Sequence, residues 1–414
     1  MTQGLTHNRW TLELLAFALC VAAPARAQSL LDPADRARAT QLFHSSMHTV
    51  NLGCEIESKK PFLDFAFRFD AGYTVRCRLS AFEGKESTLY TFVRVTPQGG
   101  ASVLLGGATK LPAISGEQAE RTNMRKMKTP LELSGGFSIG EGAYLVEVLV
   151  ADNRDRASRK QWKIKTALSR ADRAVPVRIA AHSVTDMNFH PWRGCTHSGA
   201  GGLRLTVLLD AAPINPRELK LRAWDRAFLL AALSSLLEQV PCRSVEMIAF
   251  NLDQQREVFR KQRFDGPGFF GLVQGMEHLE LGTVSYQTLQ RHEGWAELLA
   301  GYTNHEVLAE EPADVVLFLG PTVRIFQKIP ASMLRTRETR KPKFFDFEFV
   351  PPWLRGREFD DTIAGLTKAR DGTVLRIHSP GELAVAVRKM LKQVEPSERE
   401  QGPNSWPARP APEP

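Results

Sequence analysis

Three short, almost unbroken apolar runs constrain this chain most: Leu203 to Asp210 (LRLTVLLD), Ser244 to Asn251 (SVEMIAFN) and Asp314 to Pro321 (DVVLFLGP). A strand with one wet face alternates polar and apolar residues, so runs like these belong to strands covered on both sides. Helical periodicity lies between and after them. Trp224, Phe228, Ala232 and Leu236 form one stripe, Leu289, Trp295, Leu298 and Leu299 a second, and Leu383, Val387 and Met390 a third. Asp361 to Arg370 reads as a helix and Thr373 to Ile377 as a strand. Before the last helix, Ser379 with Glu382 forms a capping box, and Pro380 takes the first helical position, where its missing N–H costs nothing. REVFRK makes a short strand, and KFFDFEFV alternates Phe345, Phe347 and Phe349 with acids. Strands alternating with helices predict an α/β domain over 200–393, with a doubly wound, mostly parallel sheet.

The N-terminal half has a different period. From 61 to 167, runs such as FLDFAFRF, LYTFVRVTP and AYLVEVLVAD alternate and are rich in Val, Phe, Tyr and Thr. Turn signals such as Pro97-Gln98-Gly99-Gly100 separate them. Short strands at this spacing predict an immunoglobulin-like β-sandwich. Ahead of it, 28–60 reads as a lead-in carrying one short helix, opened by Asp32-Pro33. Residues 168–199 read as a linker holding His182, His190, Cys195 and His197, whose spacing matches no standard zinc module. Residues 394–414 are charged and proline-rich, which predicts a disordered tail.

The start of the chain predicts export. A short polar opening with His7 and Arg9 precedes the apolar run Leu14 to Ala23 and then Ala25-Arg26-Ala27, a small-x-small cleavage pattern. The greasy stretch is about half of what a bilayer crossing requires, so 1–27 reads as a cleaved signal peptide, not a permanent membrane span. Export to the periplasm or beyond allows Cys54, Cys77, Cys195 and Cys242 to oxidise. Pairing within each half, Cys54 with Cys77 and Cys195 with Cys242, suits a two-domain chain; free buried thiols are the competing reading. The formal charge is +8, and the one basic run, Arg335 to Lys343, lacks the interleaved aromatics that stacking on bases requires. Nucleic acid is therefore excluded as a partner.

The order LTVLLDAAPIN, SVEMIAFN, GTVSYQTLQ, DVVLFLGP and DDTIAGLTKARDGTVLRIHSPGELAVAVRKML resembles a von Willebrand factor type A domain. The resemblance is narrowest to secreted bacterial proteins that carry a β-sandwich ahead of such a vWA-like (Rossmann-like) domain. It implies a ligand edge at the carboxyl ends of the strands. It also implies a Mg²⁺ site made from D-x-S-x-S, a loop Thr and a later Asp, of which this sequence keeps only Asp210 and Thr283. Ala212 and Ile214 replace both serines, and Gly320 or Pro321 replaces the last acid. Mg²⁺ demands near-octahedral oxygen coordination, so the expectation is no bound metal and no cofactor. What remains is recognition of a protein partner, with Asp210, Asn215, Asn251, Phe269, Phe270, Thr283 and Gly320 as candidate binding residues. Phe269 and Phe270, among the glycines of FDGPGFFG, read as an exposed contact or a core plug. The chain reads as a binding protein rather than an enzyme. A metal-dependent adhesion domain with an altered site and a hydrolase built on Cys195 or Asp210 are the alternatives.

Overall fold

The computed structural model describes residues 29–45, 50–82, 86–111, 130–154, 156–188, 191–195, 202–215, 217–218, 220–277, 279, 293–337, 341–356 and 359–394. The expected signal segment, nearly all of the tail, His190, His197, Thr283 and Leu289 lie outside them. The chain divides into two compact units, one of residues 1–64, 68–167 and 177–188, the other of 65–67, 168–176 and 189–414.

In the first unit, β1 (Ser29–Leu30), β6 (Val103–Leu111), β5 (Ser87–Pro97), β8 (Gly142–Asp152), β9 (Arg156–Thr166) and β2 (Val50–Asn51) form a six-stranded sheet in that order. A four-stranded sheet runs β10 (Val184–Thr185), β7 (Pro130–Ile139), β4 (Phe69–Arg78), β3 (Glu55–Leu63). All pairings are antiparallel except β2 with β9. Strand β8 buries both of its faces. Val146, Val148 and Val150 form one row, while Leu149 on the other packs under helix α1 (Pro33–Ser45) with Phe92, Ala39 and Phe43. Glu147 lies on that covered face and is held by Arg94 and Arg159; the Arg94 guanidinium stands 4.5 Å over the Phe43 ring. Residues 28–60 are thus part of the sheets and their cover, since β1, α1, β2 and β3 all come from them. Cys54 and Cys77 are bridged.

In the second unit the sheet order is β13 (Arg256–Lys261), β12 (Cys242–Asn251), β11 (Leu203–Asp210), β14 (Val315–Pro321), β15 (Lys343–Phe349), β16 (Thr373–Ile377). The sheet is mixed: β13 pairs antiparallel with β12 and the other neighbours pair parallel. Helices α2 (Ala223–Gln239), α3 (Gly266–Glu277), α4 (Gly294–Leu308), α5 (Thr362–Ala369) and α6 (Pro380–Val394) flank it. One face buries Leu208, Ile248, Phe250 and Phe318 against Trp295 and Leu299 of α4 and Ile363 of α5. Val207, Leu209, Leu317 and Leu319, of opposite parity, are equally buried. Cys195 is bridged to Cys242, so the first residue of β12 is tied to the segment 47 residues before it. Oxidised cysteines are the mark of a chain that matures outside the reducing cytosol. Among the described residues no helix is long and apolar enough to cross a membrane.

The chain class is corrected by this arrangement. An α/β chain of immunoglobulin-like and doubly wound vWA-like parts was the expectation. The chain is instead mostly β, with three sheets, two of them largely antiparallel, and only six helices among the described residues. The reading weighted the three long apolar runs and left 28–60 out of the sheets.

Two smaller differences remain. In α2 the buried stripe is Leu229, Leu233, Leu236 and Leu237, while Trp224, on the predicted stripe, is half exposed. The capping box before α6 is half made. The Glu382 amide donates to Ser379 Oγ at 3.2 Å, but the Glu382 carboxylate accepts from the His378 amide at 2.6 Å, one residue upstream of the expected donor.

Candidate functional site

Parallel strands deliver their last residues to one edge. Asp210 ends β11, Asn251 ends β12, and Gly320 and Pro321 end β14. The loops that follow border a small, open cleft lined by Asp210, Ala212, Asn251, Asp253, Thr322 and Arg324 among others.

Asp210 is the unusual member. It is 1% exposed, and among the described residues neither carboxyl oxygen has a hydrogen-bond partner. Burial, then the charges of Asp253 and Asp361, push its pKa well above the ordinary carboxylate range. A carboxyl so placed is driven toward its protonated, uncharged form.

Its companions come from β15 and the start of α5. Asp346, 3% exposed, has one unpartnered oxygen and is raised by burial, then by Asp361 and Glu348. Asp361 caps α5, accepting from the amides of Ala364 at 2.9 Å and Val323 at 2.8 Å. Burial nevertheless raises its carboxyl to about 6. Glu348 is 2% exposed and satisfied, by Thr322 Oγ1 at 2.6 Å and Arg376 Nε at 3.1 Å. Sequence reading saw the acids of KFFDFEFV as the polar half of an alternating strand. Every residue of β15 after Lys343 is buried, so both faces are covered and the acids sit inside. The available signal was the pair of helical segments that follow, which supply α5 and α6.

The other candidates divide. Asn251 is buried and structural: its amide donates to the Ala211 carbonyl at 3.0 Å and its oxygen accepts from the Gln254 amide at 2.9 Å. Asn215 makes an Asx turn, accepting from the Arg217 amide at 3.1 Å. Asn251 lines the cleft, whereas Asn215 is not among its lining residues. Gly320 is not the remnant of a ligand position. A Cβ there would lie 2.8 Å from the Asp210 Cβ, so glycine is what lets the aspartate fit. Gly320→Ala is expected to cost about 1–3 kcal/mol, read as a lowered urea midpoint with an unchanged slope; an unaltered midpoint would mean that the strand ends part freely.

FDGPGFFG leads into α3 and supplies its opening residues from Gly266 onward. Asp265 caps it by accepting from the Gly268 amide at 2.9 Å, and Gly268 and Gly271 give the helix its close approach to Phe264 and Phe259. Phe269 is buried against Phe264, with ring centroids 4.9 Å apart, whereas Phe270 is 70% exposed. Sequence reading missed the aromatic side chains on the carboxyl-end loops. Trp224 at the start of α2, Phe326 after β14, and Trp353 and Phe359 after β15 are each more than half exposed. Trp353 in particular reads as a packing residue in sequence.

Among the described residues, several positions of the implied Mg²⁺ set offer no free oxygen beside Asp210. Ala212 and Ile214 carry no side-chain oxygen, and both Asp361 oxygens are already engaged by amides. Among the described residues no set of three His, Cys, Asp or Glu ligand atoms gathers around Asp210. Cys195, being bridged, offers no thiolate for nucleophilic attack.

No family model and no curated protein matches the chain, so the von Willebrand factor type A resemblance gains no support there. Several solved structures align weakly. An X-ray structure of the Northeast Structural Genomics Consortium target SoR45 is 11% identical, covering 29% of this chain and 95% of that one at a TM-score of 0.17. A lipoprotein from Bacteroides thetaiotaomicron, solved by NMR, is also 11% identical, over 29% of this chain and 85% of its own, at 0.17. Beta-glucuronidase 2 from Bacteroides uniformis is 9% identical over 66% of this chain and 36% of the enzyme, at 0.19. At such TM-scores none bears on fold or function.

Proposed function

We propose that this is an exported binding protein, periplasmic or secreted, that captures a protein partner at the carboxyl-end edge of its third sheet without a metal ion. One observation carries the reading: Trp224, Phe326, Trp353 and Phe359, each more than half exposed, come after the carboxyl ends of β11, β14 and β15, and the first two of these strands also lead into the Asp210 cleft. Large aromatics left in water are costly to a monomer and are the side chains that dominate binding energy when covered. Paired cysteines and the signal-like start support a partner met outside the cytosol. The Asp210 carboxyl, raised by burial and lining the cleft, suits a polar anchor from that partner.

The test is crosslinking and pull-down from an envelope extract with the full chain and with a Trp353→Ser/Phe359→Ser variant. The wild type should recover a specific protein, and the variant should recover at least tenfold less, since each buried aromatic anchor is worth about 2 kcal/mol or more. Equal recovery by the two, or no specific protein with the wild type, would refute the reading.

A further inference from the structure

We infer that Glu246, His305 and Glu306 form a binding site for a divalent ion of the zinc class, separate from the cleft. Glu246 lies in β12, beside Thr206 of β11 in the parallel register, and His305 and Glu306 lie in the last turn of α4. One ligand atom from each of the three lies within 4.8 Å of the others. Thr206 is four residues before Asp210, so the site sits about 13 Å back along the strands from the cleft.

The donor set and its surroundings both point to a cation. Glu306 is 5% exposed, and among the described residues its oxygens are met only by neutral donors, Thr206 Oγ1 at 3.0 Å and the Ala313 amide at 3.3 Å. A buried carboxylate facing a second carboxylate, with no cation of its own, carries an uncompensated charge. Glu246 accepts from Arg260 Nη1 at 2.9 Å through one oxygen, which leaves the other to bind. The His305 side chain is at the surface and makes no hydrogen bond among the described residues. Bonds from Thr206, Ala313 and Arg260 therefore do to the carboxylates what outer-shell partners do to metal ligands: they orient them while leaving lone pairs free. One imidazole nitrogen and two carboxylate oxygens suit zinc better than magnesium or calcium, which favour oxygen alone. Ligand atoms around a tetrahedral zinc stand about 3.4 Å apart, and rotation of the exposed His305 side chain with a smaller shift of the largely buried Glu246 side chain closes the present spacing. Three protein ligands leave a fourth position open toward solvent on the His305 side.

The experiment is calorimetric titration of untagged, EDTA-dialysed full chain with zinc chloride, accompanied by a melting curve. One equivalent should bind and raise Tm. His305→Ala, at an exposed position, and Glu246→Gln, which keeps the side chain's shape, should each weaken binding at least tenfold with an unchanged circular-dichroism spectrum. Absence of both heat and Tm shift at tenfold excess zinc would overturn the proposal. So would unaltered affinity in the His305→Ala/Glu246→Gln double variant, which would put the ion elsewhere. Neither result bears on capture of a protein at the cleft.

Discussion

Asp210→Asn is expected to make the protein more stable, by about 1–3 kcal/mol near neutral pH, and to flatten its pH dependence. The Asp210 carboxyl is raised first by burial and then by Asp253 and Asp361. Such a group keeps its proton in the folded chain while the unfolded chain releases it above about pH 4. Its contribution to stability is therefore greatest below that pH and is lost as pH rises toward the folded pKa, at about 1.4 kcal/mol per unit. Asparagine has a similar shape and no proton to lose. Asp346 and Asp361 are raised as well, so the variant keeps part of the slope and loses one proton's share. Urea unfolding at about pH 5 and about pH 8 reads the effect, with the gain over wild type larger at the higher value. A variant less stable by the same amount at both would show that the aspartate is bonded in the folded state. A gain in stability joined to a loss of partner capture would mark Asp210 as a residue retained for binding at a cost to the fold.

The second large effect is expected from Cys242→Ser. The Cys195–Cys242 bridge closes a loop with a sequence separation of 47. Chain entropy in the unfolded state makes that worth about 4 kcal/mol, or a fall in Tm of about 8–16 °C for a unit of this size. Cys54–Cys77 closes a shorter loop, with a separation of 23, worth about 3.5 kcal/mol on the same relation. Reductant added to the wild type should reproduce each loss in the unit that holds the bridge. A melting curve indifferent to both Cys242→Ser and reductant would show that the native state does not depend on the bridge.

Some elements could be read from the chain because local chemistry decides them. Pro380 opens α6, Asp361 caps α5, and Leu383, Val387 and Met390 are buried, because a cap and a stripe need only neighbours within a few turns. The candidate site was legible in part. Asp210 stood out as an acid ending an apolar strand, and that strand end does line the cleft. Its raised pKa did not stand out, since it comes first from burial and then from Asp253 and Asp361, which are distant in sequence. Gly320 was misread for the same reason: what its missing side chain makes room for is Asp210, on another strand. Phe269 and Phe270 were read together, yet one is buried and the other exposed, because FDGPGFFG coils into a helix and a helix turns consecutive residues to different sides.

By itself, then, the sequence determined which segments become strands or helices over much of the chain, where the apolar stripes fall, and which cysteines are available to pair. Only the tertiary structure decided that the chain is mostly β, that the acids of β15 are interior, that Trp224, Phe326, Trp353 and Phe359 stand exposed, and that Glu246 meets His305 and Glu306. Periodicity is a property of neighbours along the chain, within reach of a propensity or a cap. Burial, charge coupling and donor geometry belong to residues brought together from far apart, and they exist only once the sheets have formed.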